Sequence, residues 1–198
     1  TLDVTTGDLT NATTGTININ VGAGGNRAVR ANLANNGTVH WNASGTLGTT
    51  GATHVNRGDF IIANSASTTV TGTSFINAPG GTIAGSGVFN VDTVAFTNDG
   101  KVSPGLSPGI LTVDGTYNQS TSGSLYIELG GLVVGADYDR LDVDGTANLG
   151  GTLDISLLGA FVPDPGDTFV ILTATDVDGF FSNAETVVAF NGGTFDVQ

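Results

Sequence analysis

The sequence predicts an all-β chain, a parallel β-solenoid of about 21-residue coils closed by a C-terminal capping β region. Three observations predict it. Asn35, Asn56, Asn77 and Asn98 stand 21 residues apart. Three of them open the tripeptide Asn-x-Gly (Asn35-Asn36-Gly37, Asn56-Arg57-Gly58, Asn98-Asp99-Gly100), and the fourth reads Asn77-Ala78-Pro79-Gly80-Gly81, the same turn with an insertion. An apolar residue follows each glycine at short range: Val39, Phe60, Ile83 and Val102. A unit this short and glycine-rich holds no helix pair. It has the length of one solenoid coil, whose equivalent residues stack about 4.8 Å apart.

The repeat begins near Gly15-Thr16-Ile17, which matches Gly37-Thr38-Val39 one coil later. Short strands are expected over 16–21, 37–41, 59–63, 68–72 and 88–96, between corners of Gly, Asn and Ser. Written in rows of 21, the chain puts Leu33, His54, Phe75 and Phe96 in one column. A second column holds Leu47, Thr68, Phe89 and Ile110, and a third holds Gly45, Ala66, Gly87 and Pro108. These read as inward positions and corners. The asparagine column reads as a stacked amide ladder that stops after Asn98. Asparagine and glycine also tolerate the left-handed backbone of a tight corner. At about 21 residues per coil, 198 residues give about nine coils and a rod roughly 40 Å long.

The run Val102–Gly109 doubles a Ser-Pro-Gly turn, a rigid bend that marks a boundary. Residues 1–114 are read as regular coils, and 115–198 as an acidic region of wider terminal coils or a β cap. Alternation is clean there. Leu125, Ile127 and Leu129 alternate with Tyr126 and Glu128, and Leu141 and Val143 with Asp142 and Asp144. Leu153, Ile155 and Leu157 alternate with Asp154 and Ser156. Further strands are expected over 167–172 and 184–197, with a hairpin near Asn191-Gly192-Gly193. A solenoid needs a cap, because its open end exposes unpaired backbone and apolar side chains.

The stretch from Gly100 to Phe181 carries a family resemblance. It includes Gly100-Lys101-Val102-Ser103-Pro104-Gly105-Leu106-Ser107-Pro108-Gly109, then Gly123-Ser124-Leu125-Tyr126-Ile127-Glu128-Leu129, then Asp137–Leu153, Pro165–Leu172 and Gly179-Phe180-Phe181. This pattern resembles the C-terminal passenger region of autotransporter-type and related bacterial surface repeat proteins. The resemblance implies a long right-handed parallel β-helix ending in a stable, folding-nucleating segment, on the outside of a bacterial cell. It implies no catalytic residues. No membrane barrel follows in this chain.

Composition narrows the function classes. Without cysteine, neither a disulfide nor a thiolate zinc site forms within the chain. The chain opens at Thr1 and lacks methionine, as expected of a processed product or a fragment. It holds no 18-residue apolar run that would cross a bilayer as a helix. Residues 1–90 balance Asp3, Asp8 and Asp59 against Arg27, Arg30 and Arg57, so the net charge of −13 lies entirely in residues 91–198. Such a surface repels nucleic-acid phosphates and anionic lipid, and it favours cations. Gly80–Gly87 is glycine-dense but lacks the following helix and the Gly-Lys-Ser/Thr ending of a phosphate loop.

Four readings of the chemistry follow. Asp137, Asp139, Asp142 and Asp144 supply acids, but acids every second residue need no catalytic explanation, and His40 and His54 fall in different columns; no enzyme is expected. Glu128, Asp142, Asp144 and Asp154 are the candidate ligands for Ca²⁺ if they share one wet face. Adhesion to glycan or to another cell-surface receptor needs exposed aromatics, and Trp41, Tyr117, Tyr126 and Tyr138 are the candidates. A rod with two sheet-edge ends also stacks end to end on copies of itself. The expectation is a non-enzymatic extracellular rod, a stalk or a self-assembling surface filament subunit; the alternative is a polysaccharide-binding or polysaccharide-cleaving β-helix.

Overall fold

A computed structural model describes residues 1–24, 27–183, 188–190, 193–195 and 197. The chain winds as a three-faced parallel β-solenoid. Coil by coil it lays down β1 (Leu2–Asn11) and β2 (Thr16–Ile19), then β3 (Arg27–Asn35) and β4 (Thr38–Trp41). Next come β5 (Gly45–Gly48), β6 (Thr53–Asn56) and β7 (Asp59–Ile62), then β8 (Ser67–Thr71), β9 (Ser74–Asn77) and β10 (Thr82–Gly85). The following coils are β11 (Val88–Asn90), β12 (Ala95–Asn98) and β13 (Lys101–Pro104), and β14 (Ile110–Asp114), β15 (Tyr117–Asn118) and β16 (Ser124–Leu129). The last are β17 (Arg140–Leu149) with β18 (Thr152–Leu157), and β19 (Leu172–Gly179). A hairpin, β20 (Val188–Phe190) and β21 (Gly193–Phe195), comes after them and is antiparallel.

One face stacks the first half of β3 on β5, β8, β11, β14 and the first half of β17. A second stacks the end of β3 on β6, β9 and β12, and continues through the Asn98–Gln119 bridge into β15 and the end of β17. The third runs β2, β4, β7, β10, β13, β16, β18. The long strands β1, β3, β17 and β19 turn from the first face into the second without a break. Every pairing named in these faces is parallel, and the faces pass through residue 114 without interruption. Among the described residues there are eight coils rather than about nine, because the register spans 24 residues from Asn11 to Asn35 and 30 from Asn118 to Asn148.

The expected strand over 88–96 is two strands, since the chain turns a corner at Asp92-Thr93 between β11 and β12. The expected strand over 167–172 begins only at Leu172. In the expected hairpin, Asn191 and Gly192 lie outside the described residues. The column of Leu33, His54, Phe75 and Phe96 is in register and buried. So is the third-face column of Val39, Phe60, Ile83 and Val102. The other two columns hold between Thr68 and Phe89 and, in the same register, between Ala66 and Gly87, and are corrected elsewhere. On the first face Gly45 pairs with Thr68, Thr68 with Phe89 and Phe89 with Val113, while Leu47 pairs with Val70 and Ile110 with Arg140.

The corner glycines also serve a different purpose from the one expected. Gly37, Gly58 and Gly100 keep negative φ, and Ser65 is the only non-glycine residue with positive φ among those described. A methyl group on Gly58 would collide with the carbonyl of Gly37, and one on Gly100 with the carbonyl of Gly81. Glycine is required there because successive coils touch backbone to backbone at this corner.

The core is a narrow column of side chains. Ring contacts run from Trp41 to Phe60 (6.0 Å), Phe60 to Phe75 (5.5 Å), Phe75 to Phe89 (5.0 Å), Phe89 to Phe96 (5.2 Å) and Phe96 to Tyr117 (6.0 Å). Most are tilted or edge-on, the arrangement that adds about 0.5–1.5 kcal/mol per pair beyond area burial. A second aromatic group lies towards the C-terminus. Phe169 meets Tyr138 at 5.3 Å, Phe161 at 6.2 Å and Phe195 at 6.0 Å. The Asn183 carboxamide bonds both backbone groups of Leu153, taking the place that another strand residue would occupy beside β18.

Candidate functional site

The asparagine corner is a continuous stack of buried carboxamides. Asn35 Nδ2 donates to Asn56 Oδ1 at 2.7 Å, Asn56 to Asn77 at 2.8 Å and Asn77 to Asn98 at 2.7 Å. The four side chains are fully buried. The ladder is longer than the sequence reading allowed. It starts at Asn11, which donates to Asn35 at 2.8 Å, and it does not stop after Asn98. Gln119 occupies the next rung, 21 residues on, and Asn98 Nδ2 reaches Gln119 Oε1 at 3.4 Å and the Tyr117 hydroxyl at 3.2 Å. Each asparagine also ties its corner to backbone, as Asn56 Nδ2 does with the carbonyls of Gly58 and Thr82.

A histidine and a carboxylate are buried elsewhere in the rod. His54 Nδ1 accepts the Leu33 N–H at 3.2 Å, so the proton sits on Nε2 and is donated to the Thr71 carbonyl at 3.1 Å. Burial lowers its pKa and holds it neutral. The Asp139 carboxylate accepts the N–H groups of Gly109 and Glu128, both at 2.8 Å, pinning the Ser-Pro-Gly bend to the next coil. Burial nevertheless pushes its pKa up to about 6. Both groups spend their polar atoms on backbone.

The four carboxylates expected to share calcium are not brought together. Asp142 and Asp144 lie on β17, on the first face, whereas Glu128 and Asp154 lie on the third. Within the third face, Asp154 pairs with Tyr126 and Glu128 with Ser156, so even these two are out of register. Asp142 is held by Arg140 at 2.6 Å and by the Thr173 hydroxyl at 2.8 Å. Among the described residues no three His, Asp or Glu side chains are grouped to hold a metal ion. Alternation along a strand fixed which way these acids point, but not which face each strand joins.

Of the four candidate aromatics, Trp41, Tyr117 and Tyr138 are buried in the core. Tyr126 points outward from β16, and the Lys101 ammonium stands 5.3 Å from the centre of its ring.

Lys101 leads to a surface groove of about 380 Å³, lined by Pro79, Gly80, Gly81, Thr82, Asp99, Gly100, Lys101, Ser122 and Ser124. Its origin is a difference in corner length. Between ladder residue and corner glycine, Asn77 and Gly81 enclose three residues, Asn98 and Gly100 enclose one, and Gln119 and Gly123 enclose three. The short corner therefore lies between two long ones. Asp99, Gly100 and Lys101 form the floor, Pro79 and Gly80 one wall, and Ser122 the other. Sequence reasoning noticed the insertion at Pro79 but missed the groove. The signal was available: Gln119 falls 21 residues after Asn98, and recognising it exposes the alternation of corner lengths.

No protein-family model matches the chain, and no curated protein or solved structure matches it either.

Proposed function

We propose that this chain is a non-enzymatic structural rod with an adhesive surface, a stalk displayed outside a bacterial cell. The observation that carries this reading is the amide ladder. It runs from Asn11 to Gln119 inside three continuous parallel faces, which makes the chain stiff along its axis. The saturation of His54 and Asp139 by backbone partners favours a structural role over acid–base chemistry. The extracellular placement rests on the passenger-like pattern of residues 100–181 and on the acidic, lysine-poor composition.

A head-to-tail filament subunit is the second reading, because β1 and β2 at one end and β19 at the other pair on one side only among the described residues. Negative-stain electron microscopy of the purified protein tests the choice. Isolated rods about 40 Å long are expected, from eight coils at the sheet spacing. Fibres with a regular axial repeat would replace the stalk with the filament subunit. Measurable turnover of a polysaccharide would overturn both.

A further inference from the structure

We propose that the groove between the 77–81 and 119–123 corners binds a short neutral saccharide, one pyranose ring thick; this rests on the adhesive part of the reading above. Three features carry it.

The first is width. The walls belong to coils two apart, so their backbones are separated by about 9.5 Å at the sheet spacing. Two van der Waals contacts of about 3.7 Å each leave a slot for one ring standing on edge, and not for two.

The second is chemistry. Sugar hydroxyls both donate and accept. The Asp99 carboxylate accepts, the Lys101 ammonium donates, and the Thr82, Ser122 and Ser124 hydroxyls do either. Pro79 gives one wall an apolar surface for the C–H face of a ring. Beside the floor, Tyr126 offers the outward aromatic face on which the next ring of the saccharide would lie, displacing Lys101 from it.

The third is exclusion. One acid and one base cancel within the groove, while the whole chain carries −13, so a polyanionic glycan is repelled. An extended peptide would need unpaired backbone. Here the N–H groups of Thr82, Lys101 and Ser124 already bond the preceding coil at 2.9, 2.9 and 2.8 Å.

Affinity in so open a groove is modest, with a dissociation constant on the order of 1 mM. The test is an amide-resolved NMR titration of the whole chain with maltotriose, cellotriose, mannotriose and tri-N-acetylchitotriose, each to about 10 mM. Trigalacturonate and a neutral Ser/Gly peptide serve as competitor classes. At least one neutral trisaccharide is expected to shift the amides of Gly80, Gly81, Asp99, Gly100, Lys101, Ser122 and Ser124. In the Asp99→Ala/Lys101→Ala double variant, binding should weaken about tenfold or more while the remaining spectrum is unchanged. The proposal is overturned if no neutral trisaccharide moves these amides, if the double variant binds equally well, or if trigalacturonate or the peptide takes the groove instead. None of these outcomes bears on whether microscopy finds isolated rods, so the stalk reading stands or falls separately.

Discussion

Asn56 shows how much one carboxamide does in this rod. Its Nδ2 reaches Asn77 Oδ1, the Gly58 carbonyl and the Thr82 carbonyl, and its Oδ1 accepts from Asn35. Asn56→Asp keeps the shape but turns an oxygen towards three acceptors. It is expected to cost at least about 3 kcal/mol at neutral pH, the scale of an uncompensated buried charge. A buried carboxyl has a raised pKa, so the variant should recover part of the loss in acid, where a protonated oxygen donates once more. Urea denaturation at about pH 7 and 4.5 reads both effects, and a variant as stable as the parent at pH 7 would refute the ladder's energetic role. His54 supplies a pH dependence of its own. Its folded pKa lies below the ordinary 6.5, so the unfolded chain binds the extra proton first. Its stabilisation is complete above that value and declines as the pH falls below it. Asp139 works in the opposite sense. Its folded pKa of about 6 exceeds the ordinary 3.8, so its contribution is present in acid and fades as pH rises through 6. The two overlap, which makes a His54→Phe comparison necessary. The stability gap between parent and variant is expected to narrow from about pH 7 to 5, and a constant gap would mean that His54 does not titrate as argued.

At the scale of strands and corners, the sequence was readable where distance to the asparagine is constant. The column containing Phe75 obeys that condition, two residues before each ladder asparagine, and the column containing Ile83 keeps the same distance of two from the corner glycine instead. The first face does not. The turn from Trp41 to Gly45 encloses three residues, but the turn between their partners Ile62 and Thr68 encloses five, and the next turn gives the two back: residues 49–52 lie between β5 and β6, but only 72–73 between β8 and β9. The Asn-to-Asn count stays at 21 while the first face slides against it, so Leu47 and Phe89 fall in different columns. The same logic hid the groove, which is a relation among three corners and not a property of any one. Gln119 escaped notice because the rung changes residue type, with the Tyr117 hydroxyl donating to it at 2.5 Å across the wider gap. The four candidate carboxylates stand apart for a related reason. Alternation says which acids are wet, but consecutive strands of a three-faced coil join different faces, so Glu128 on β16 and Asp142 on β17 part.

The whole molecule is polarised. Its first 90 residues are electrically neutral and regular, and the remainder carries the acid and the second aromatic group. Parallel stacking with local winding gives each coil neighbours only above and below, so stability accumulates coil by coil. The constant count between rungs then acts as a ruler and makes each coil an interchangeable cassette. Excising residues 36–56 joins Asn35 to Arg57, puts Asn77 on the next rung, and sets Phe60 beneath Ile17 and Phe75 beneath Leu33. It also removes Trp41, whose buried Nε1 has no partner, together with His54. The shortened chain is expected to fold cooperatively into a rod one sheet spacing, about 4.8 Å, shorter, with the pH response assigned to His54 gone. Circular dichroism and thermal melting would detect it, and an unfolded or aggregated product would show that the coils are not exchangeable parts.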